Sequence, residues 1–270
     1  RRPDCRWFSG AAENGGETHF GFETVSETEK ASKVYKVFEN VAQKSDVMND
    51  AMSLGIHRLW KDALLHVMHP QPGARLLDVA GGTGDIAFRF LEYVRSQQER
   101  QQRRAVSLRQ TPLWRDVSDR YPDGGGAPES AVVVCDINKE MLKVGRQRAD
   151  SRGVTTGLSW VVGDAEELLF NDDQFVLYTI AFGIWNVTHI DQALKEALQV
   201  LKPGGRFLCL EFSKVTNPVL ERLVTLWMSL KSVPSVQEEF KGLMEDSGFF
   251  CVQYFNLTGG VVALHSGFKL

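Results

Sequence analysis

The sequence predicts an open α/β fold: a mostly parallel sheet with helices on both faces. Short apolar runs recur along the chain, and helical patterns alternate with them. Three of these runs end in, or one or two residues before, an acidic residue. The first, Leu76-Leu77-Asp78-Val79, passes through Ala80-Gly81-Gly82-Thr83-Gly84 directly into a helix starting near Asp85. Ligands of such sheets bind beyond the carboxyl ends of the strands, so this turn is expected to floor a cofactor site.

The spacing speaks against a nicotinamide or flavin seat. A dinucleotide fingerprint needs G-x-G-x-x-G, whereas Gly81, Gly82 and Gly84 are followed by Asp85, Ile86 and Ala87. Asp78 and Asp85 at the two ends of the loop repel a polyphosphate and suit a ligand carrying an amine and a sulfonium, which describes S-adenosyl-L-methionine. A tight turn that merely needs glycine is the competing reading. Two further strands bear on the choice. Ala131 to Cys135 reads as a buried strand with Asp136 at its end, placed to accept both ribose hydroxyls or to cap the helix from Lys139. Trp160-Val161-Val162 leads to Asp164 and Ala165, able to read an adenine edge; the alternative for Asp164 is a cap on the Glu166-Glu167 turn.

The remaining elements follow in order. Arg1 to Ser9 resembles the tail of an Arg-rich targeting segment, and residues 1–25 as a whole are expected to be a flexible arm, polar from Gly10 to Gly21. A helix through Lys30 to Ala42 is expected from the stripe Val34, Val37, Phe38 and Val41. Asp46 to Lys61 mixes Met, His, Arg and Trp ahead of the first strand, where helices of this fold fold back over the cleft. Residues 95–130 read as a surface insertion: a charged and amide-rich helical extension through Arg104, then a loop around Tyr121 to Pro128. It also explains why Asp136 lies much farther from the glycine turn than the usual ~20 residues. Phe175 to Ile180 is the fourth strand, Asp191 to Leu201 a helix, Lys202 to Gly205 a turn and Arg206 to Phe212 the fifth strand. A helix over Ser235 to Ser247 and an antiparallel pair, Gly248 to Tyr254 and Val261 to Lys269, close the fold.

Composition sets the outer limits. With 270 residues, 43% hydrophobic, the chain can bury one large core, and a net charge of −3 gives no electrostatic case for nucleic acid. Cys5, Cys135, Cys209 and Cys251 lack metal-ligand or paired spacing, so reduced core thiols are expected and no metal site.

Two longer motifs carry a family likeness. Asp46-Val47-Met48-Asn49 with Ser53 to Trp60, and Val200 to Arg206 with Glu211-Phe212-Ser213, resemble the UbiE-type C-methyltransferases of ubiquinone and menaquinone biosynthesis, within the class I S-adenosylmethionine-dependent methyltransferases. The likeness runs from about His19 to Leu270 apart from the insertion, leaving 26–270 as one methyltransferase domain. It implies a Rossmann-like, seven-stranded sheet, S-adenosyl-L-methionine as cofactor, and cofactor contacts at Thr83, Asp136, Asp164 and Ala165, beside Asp78, Gly81 and Gly84 of the turn. The mitochondrial branch is the nearest likeness. It implies a polyprenyl benzoquinol acceptor (2-methoxy-6-polyprenyl-1,4-benzoquinol), peripheral contact with the matrix side of the inner mitochondrial membrane, and partners in a multi-enzyme ubiquinone-biosynthesis complex.

Three positions depart from the family pattern. Trp185 stands where an arginine precedes Asn186, Ser45 replaces a tyrosine, and an aromatic-rich stretch is missing between Lys231 and Ser235. Asn186 and His57 are the candidate catalytic residues, each with a structural alternative as turn cap or satisfied buried histidine; His189 is a weaker candidate. Glu211 and Ser213 either line the site or satisfy a turn. The departures also motivate a second reading, a cofactor-binding scaffold with little activity, and the cofactor half alone also allows an O-methyltransferase for a smaller phenol.

Overall fold

The computed structural model describes residues 17–20, 23–26, 55–109, 130–213, 215 and 236–270. The expected helix through Lys30 to Ala42, Ser45, the loop around Tyr121 to Pro128 and the shortened stretch from Lys231 to Ser235 lie outside them. Seven strands form one sheet in the order β5-β4-β3-β6-β7-β9-β8. These are β3 (Arg75–Val79), β4 (Ala131–Asp136), β5 (Leu158–Val162), β6 (Phe175–Ala181), β7 (Leu201–Phe212), β8 (Phe250–Leu257) and β9 (Val262–Phe268). Strands β3 to β7 pair in parallel, and β9 joins β7 and β8 antiparallel. The chain builds outward from β3 to β5, then returns to place β6 on the other side of β3. Loops leaving β3 and β6 therefore diverge and open a crevice between them.

Each face of the sheet has its own core. Helices α1 (Ile56–Met68), α2 (Asp85–Arg109) and α3 (Lys139–Ser151) contribute Trp60, Leu64, Phe90 and Leu142 to one face, against Leu76, Val132, Leu208 and Leu210. Helices α4 (Ile190–Val200) and α5 (Val236–Asp246) bring Leu194, Ala197, Phe240 and Met244 to the other, against Leu77, Ile180, Phe207 and Cys209. Alternate residues of one strand thus serve opposite cores, as a pleated strand covered on both faces requires. Cys135 and Cys209 are buried free thiols, and burial pushes Cys135 up to about 12.

Two details differ from the sequence reading. Part of the expected flexible arm forms an antiparallel hairpin, β1 (Glu17–Phe20) with β2 (Glu23–Ser26), where Thr18, Phe20, Thr24 and Val25 favour extended backbone. Lys202 to Gly205 is a bulge within β7 rather than a turn before it: Phe175 pairs with Leu201 and Leu177 with Arg206, leaving the intervening residues to loop out around Gly204. Helix α2 carries the expected extension through Arg104 and runs on to Arg109; among its described residues the buried ones end at Val94, and beyond them the exposed Glu99 and Arg103 pair along the helix.

α3 packs close to the glycine turn because Gly145 leaves room for the Trp160 ring. A Cβ on Gly145 would lie 2.3 Å from that ring. Gly145→Ala is expected to cost about 1–3 kcal/mol through overpacking. A thermal melt of the variant measures the loss, and adding Trp160→Leu is expected to recover part of it.

Candidate active site

The floor of the crevice is a backbone shape that side chains cannot share. A Cβ on Gly81 would meet Val134 Cγ1 at 2.7 Å and the Asp78 carboxylate at 2.8 Å. Gly84 has φ of 80° and would drive a Cβ to 2.6 Å from Trp160, so both its conformation and its space demand glycine. The opposite lip is as tight: a Cβ on Gly183, just past β6, would come within 2.6 Å of Ala80 Cβ. Ala80 and Phe182 themselves hold left-handed backbones, φ 51° and 58°. Strained non-glycine residues on both lips mark the place where the two loops part.

Asp136 ties the turn to the neighbouring strand. Gly82 N–H donates to its Oδ2 and Asn138 N–H to its Oδ1, both at 2.8 Å. Burial raises its pKa while these amides oppose the rise. The cap of α3 is Asn138, which accepts from Glu140 and Met141, so the capping alternative for Asp136 does not hold. Each carboxylate oxygen keeps lone-pair capacity for a diol. Beside it Ile137 is half exposed, an apolar surface at the strand end. Asp164 is exposed and accepts from Glu166 N–H at 3.0 Å, the turn-capping arrangement, while Ala165 is buried beneath it.

Asp78 is fully buried in the middle of the sheet. Thr179 Oγ1 on β6 donates to its Oδ1 at 2.8 Å, and Oδ2 has no hydrogen-bond partner among the described residues. Burial pushes its carboxyl up to about 7, against the pull of Thr179 and Lys61. Asp85, the other acid of the loop, is engaged differently: Lys61 Nζ lies 2.7 Å from it and Arg89 3.4 Å. Its charge is compensated, so of the two acids only Asp78 remains without an ion-pair partner of its own, and the expectation that both ends of the loop present negative charge needs this correction. Thr83 is buried and accepts from Arg148 Nη1 at 2.9 Å, which ties the turn to α3.

The second wall comes from α1, β6 and β7. His57, Trp60 and Lys61 are all buried on α1, one helical turn apart. Trp60 packs on Phe182 and Phe212 with centroids 6.2 and 6.1 Å away, and its indole donates to Thr258 Oγ1 at 2.7 Å. Asn186 ends a single 3-10 turn, Ile184–Asn186, and is partly buried. His57 and Asn186 therefore stand on different elements of this wall. Trp185 faces away from α1, edge-on to Phe240 of α5 at 5.6 Å. His189 is paired with Glu166 at 2.6 Å; the same carboxylate accepts the Thr188 and His189 amides at the start of α4. Under the 3-10 turn lies Glu211, buried and raised to about 8 by burial.

Sequence reasoning missed Lys61, Thr179, Arg148 and Ile137. Thr179 had a visible signal, a lone hydroxyl inside an apolar strand. Lys61 had one too, a cation four residues from His57 on a face that also carries Trp60.

The sheet order and strand-end acids define the class I S-adenosylmethionine-dependent methyltransferase fold. The chain belongs to the ubiE/COQ5 methyltransferase family, whose model matches residues 25–236 and 225–269. It is 64% identical over 289 residues to the mitochondrial 2-methoxy-6-polyprenyl-1,4-benzoquinol methylase of Danio rerio, covering 98% of this chain and 88% of that one. It is 59% identical to the protein of the same name from Homo sapiens, covering 94% and 85%. Among solved structures it is similar to a SAM dependent methyltransferase from Aquifex aeolicus, with TM-score 0.54, 13% identity and coverage of 78% and 89%. It is also similar to the [4+2]-cyclase SpnF, with TM-score 0.55, 16% identity and coverage of 78% and 80%. Those identities speak for the fold alone, and a cyclase among the neighbours shows why function has to rest on the site.

Two buried carboxyls with raised pKa values fix the sign of the pH dependence of stability. Asp78 rises from 3.8 to about 7 and Glu211 from 4.5 to about 8. The folded state binds these protons more tightly than the unfolded chain, so their contribution is full at acid pH and is lost as pH climbs through about 7 and 8. The thermal midpoint of the ligand-free protein is expected to fall between pH 5 and pH 8.5, and Asp78→Asn to flatten the lower part of that fall.

Proposed function

We propose that this chain transfers the methyl group of S-adenosyl-L-methionine to a ring carbon of 2-methoxy-6-polyprenyl-1,4-benzoquinol in ubiquinone biosynthesis. The carrying observation is 64% identity across nearly the whole chain to a methylase named for that acceptor. The crevice described above fits the methyl donor: an unpartnered buried carboxylate oxygen at Asp78, a cradle at Gly81 that a Cβ would fill, and a carboxylate at the next strand end.

When bound, S-adenosyl-L-methionine supplies an electrophilic methyl group on a sulfonium. The chain supplies the alignment. Asp136 takes the ribose hydroxyls, Ile137 faces the adenine ring, and Asp164 with the Ala165 amide reads its edge. Gly81 and Gly84 allow close backbone approach, Thr83 fixes the turn through Arg148, and Asp78 answers the ligand's positive charge. The acceptor ring lies along Trp60, Phe182 and Phe212, with Asn186 and His57 orienting its oxygens or a water.

The same reading places the protein on the matrix side of the inner mitochondrial membrane, in peripheral contact and within an assembly of ubiquinone-biosynthesis proteins. Among the described residues no helix is long and apolar enough to cross a membrane. The basic stretch of α2 from Arg95 to Arg104 begins about 15 Å along the helix from the glycine turn, so it is remote from the crevice. Leu59 on α1 is 66% exposed and two residues from His57, a better-placed membrane contact for an acceptor whose tail stays in lipid.

A second reading, an S-adenosylmethionine-binding scaffold, is favoured by one observation: Trp185 is folded onto Phe240 and contributes no cation to the acceptor wall. Methyl transfer from labelled donor to a short-tailed demethyl quinol separates the two. Turnover is expected in wild type and in Trp185→Arg; donor binding without turnover in either protein would favour the scaffold. Asp136→Ala is expected to weaken donor binding about 10–100-fold in calorimetry.

Asp78 gives the donor site its own signature. With its pKa pushed up to about 7, the carboxyl is about half protonated near neutral pH, and a bound cation favours the ionised form. Donor binding is expected to release up to about half a proton at pH 7, seen as binding heats that differ between buffers of different ionisation enthalpy. Asp78→Asn is expected to remove the difference.

A further inference from the structure

Lysine is among the residues least often taken out of water, yet only 8% of Lys61 is exposed. It follows Trp60 on α1, whose ring packs on Phe182 at the exit of β6. Its Nζ reaches Asp85, which opens α2 directly after Gly84. The ammonium therefore lies where the α1 wall meets the glycine turn. Its field also reaches Asp78, whose carboxyl burial raises and Lys61 pulls down. Leu76 serves the core under α1 and α2 while Leu77 and Val79 serve the other, so Asp78 approaches the turn from the same side of the sheet as Lys61.

The ion pair with Asp85 accounts for part of this arrangement. It joins two helices and uses one of the three N–H donors of the ammonium, at 2.7 Å. Among the described residues the other two donors have no acceptor. Nor does Asp85 depend on Lys61 alone, because Arg89 lies 3.4 Å from its other oxygen and also pairs with Asp62. A nearly buried cation with donors to spare, at the edge of a ligand crevice, calls for an anionic group on the ligand.

The methyl donor carries one. S-adenosyl-L-methionine ends in an amino acid, an ammonium beside a carboxylate. The groups already placed answer its adenine, its ribose and its positive charge, and leave the carboxylate without a partner. We propose that Lys61 receives this carboxylate and so selects donors with an intact amino-acid tail.

This inference rests on the cofactor reading above and deepens it. Charge balance agrees with it. Asp62, Asp78 and Asp85 set against Lys61 and Arg89 leave one carboxylate in excess when Asp78 is ionised, and the donor brings two positive charges and one negative. Asp85 faces the same ammonium and repels a second carboxylate, a cost that Arg89 limits by sharing its charge. The competing partner for the carboxylate is the set of amides at the start of α2, which a helix leaves free in its first turn.

The test compares binding of S-adenosyl-L-methionine with binding of its decarboxylated form, which keeps the adenosine, the sulfonium and the amine and lacks only the carboxylate. Calorimetry on wild type, Lys61→Met, Lys61→Arg and Asp85→Asn needs no methyl acceptor. Wild type is expected to prefer the intact donor about 10–100-fold. Lys61→Met is expected to bring the two ligands within about threefold of each other. It is also expected to bind the decarboxylated form at least as tightly as wild type does, which a variant that had merely loosened the helices would not do. Lys61→Arg keeps the cation and is expected to keep most of the preference. Asp85→Asn cuts the tie between α1 and α2 but leaves the cation, and is expected to keep the preference or widen it. Three results would overturn the assignment: equal binding of both ligands by wild type, a wild-type preference surviving in Lys61→Met, or its loss in Asp85→Asn as fully as in Lys61→Met. The second result would give the carboxylate to the amides of α2, and the third would make the ion pair a structural tie alone. Wild type that binds neither ligand would instead sink the cofactor reading, and this inference with it.

Discussion

The site depends on one bond across the middle of the sheet, from Thr179 on β6 to Asp78 on β3. These strands are adjacent in space yet separated by more than ninety residues of chain that builds the β4–β5 side first. Their pairing is what creates the crevice. A carboxyl between them, fully removed from water, is costly, and the single hydroxyl opposite satisfies only one of its oxygens. The other oxygen sits beneath Gly81, where a Cβ would strike it. The glycine turn and the buried acid are thus one device: the turn has to be bare because the acid is there.

Around this device the chain is locked by polar ties that run between elements. Asp136 holds the Gly82 amide, Arg148 holds Thr83, and Lys61 joins α1 to the first turn of α2 through Asp85. Each tie brings a different helix or strand to the same loop. The pairing of Lys61 with Asp85 also sets the electrostatics, since it compensates one acid of the loop and leaves Asp78 without an ion-pair partner of its own among the described residues. Helix α1 has a further role, because its Trp60 spans from Phe182 to the Thr258 turn and so sets the height of the aromatic wall.

Much of this was legible in the sequence for a physical reason: buried parallel strands read as apolar runs, and their functional residues cluster at the carboxyl ends. Asp78, Asp136 and the glycine turn could be placed in that way. Pairing across the sheet could not, because no local pattern tells that Thr179 will face Asp78 or that Arg148 will reach Thr83. The capping alternative for Asp136 shows the same limit. Asn138 takes the cap, and only its position in space decides between two neighbouring polar residues that both suit it. Lys202 to Gly205 was readable as a break in regular structure, whereas its absorption into β7 as a bulge depends on Arg206 finding its register beside Leu177.

Trp185 and Glu211 are best understood together. The indole is turned onto Phe240 on the face opposite α1, and its N–H reaches Phe212 O at 3.4 Å, so the ring helps close the space over β7. An apolar ring here lowers the local polarity around the carboxyl beneath the turn, the condition that raises a carboxyl toward neutrality. An arginine at this position would do the reverse and stabilise the ionised carboxylate. With Trp185 in place the turn is closed by an apolar ring over a carboxyl raised to about 8, so this end of the sheet carries no added cation and is held by packing on Phe240 instead.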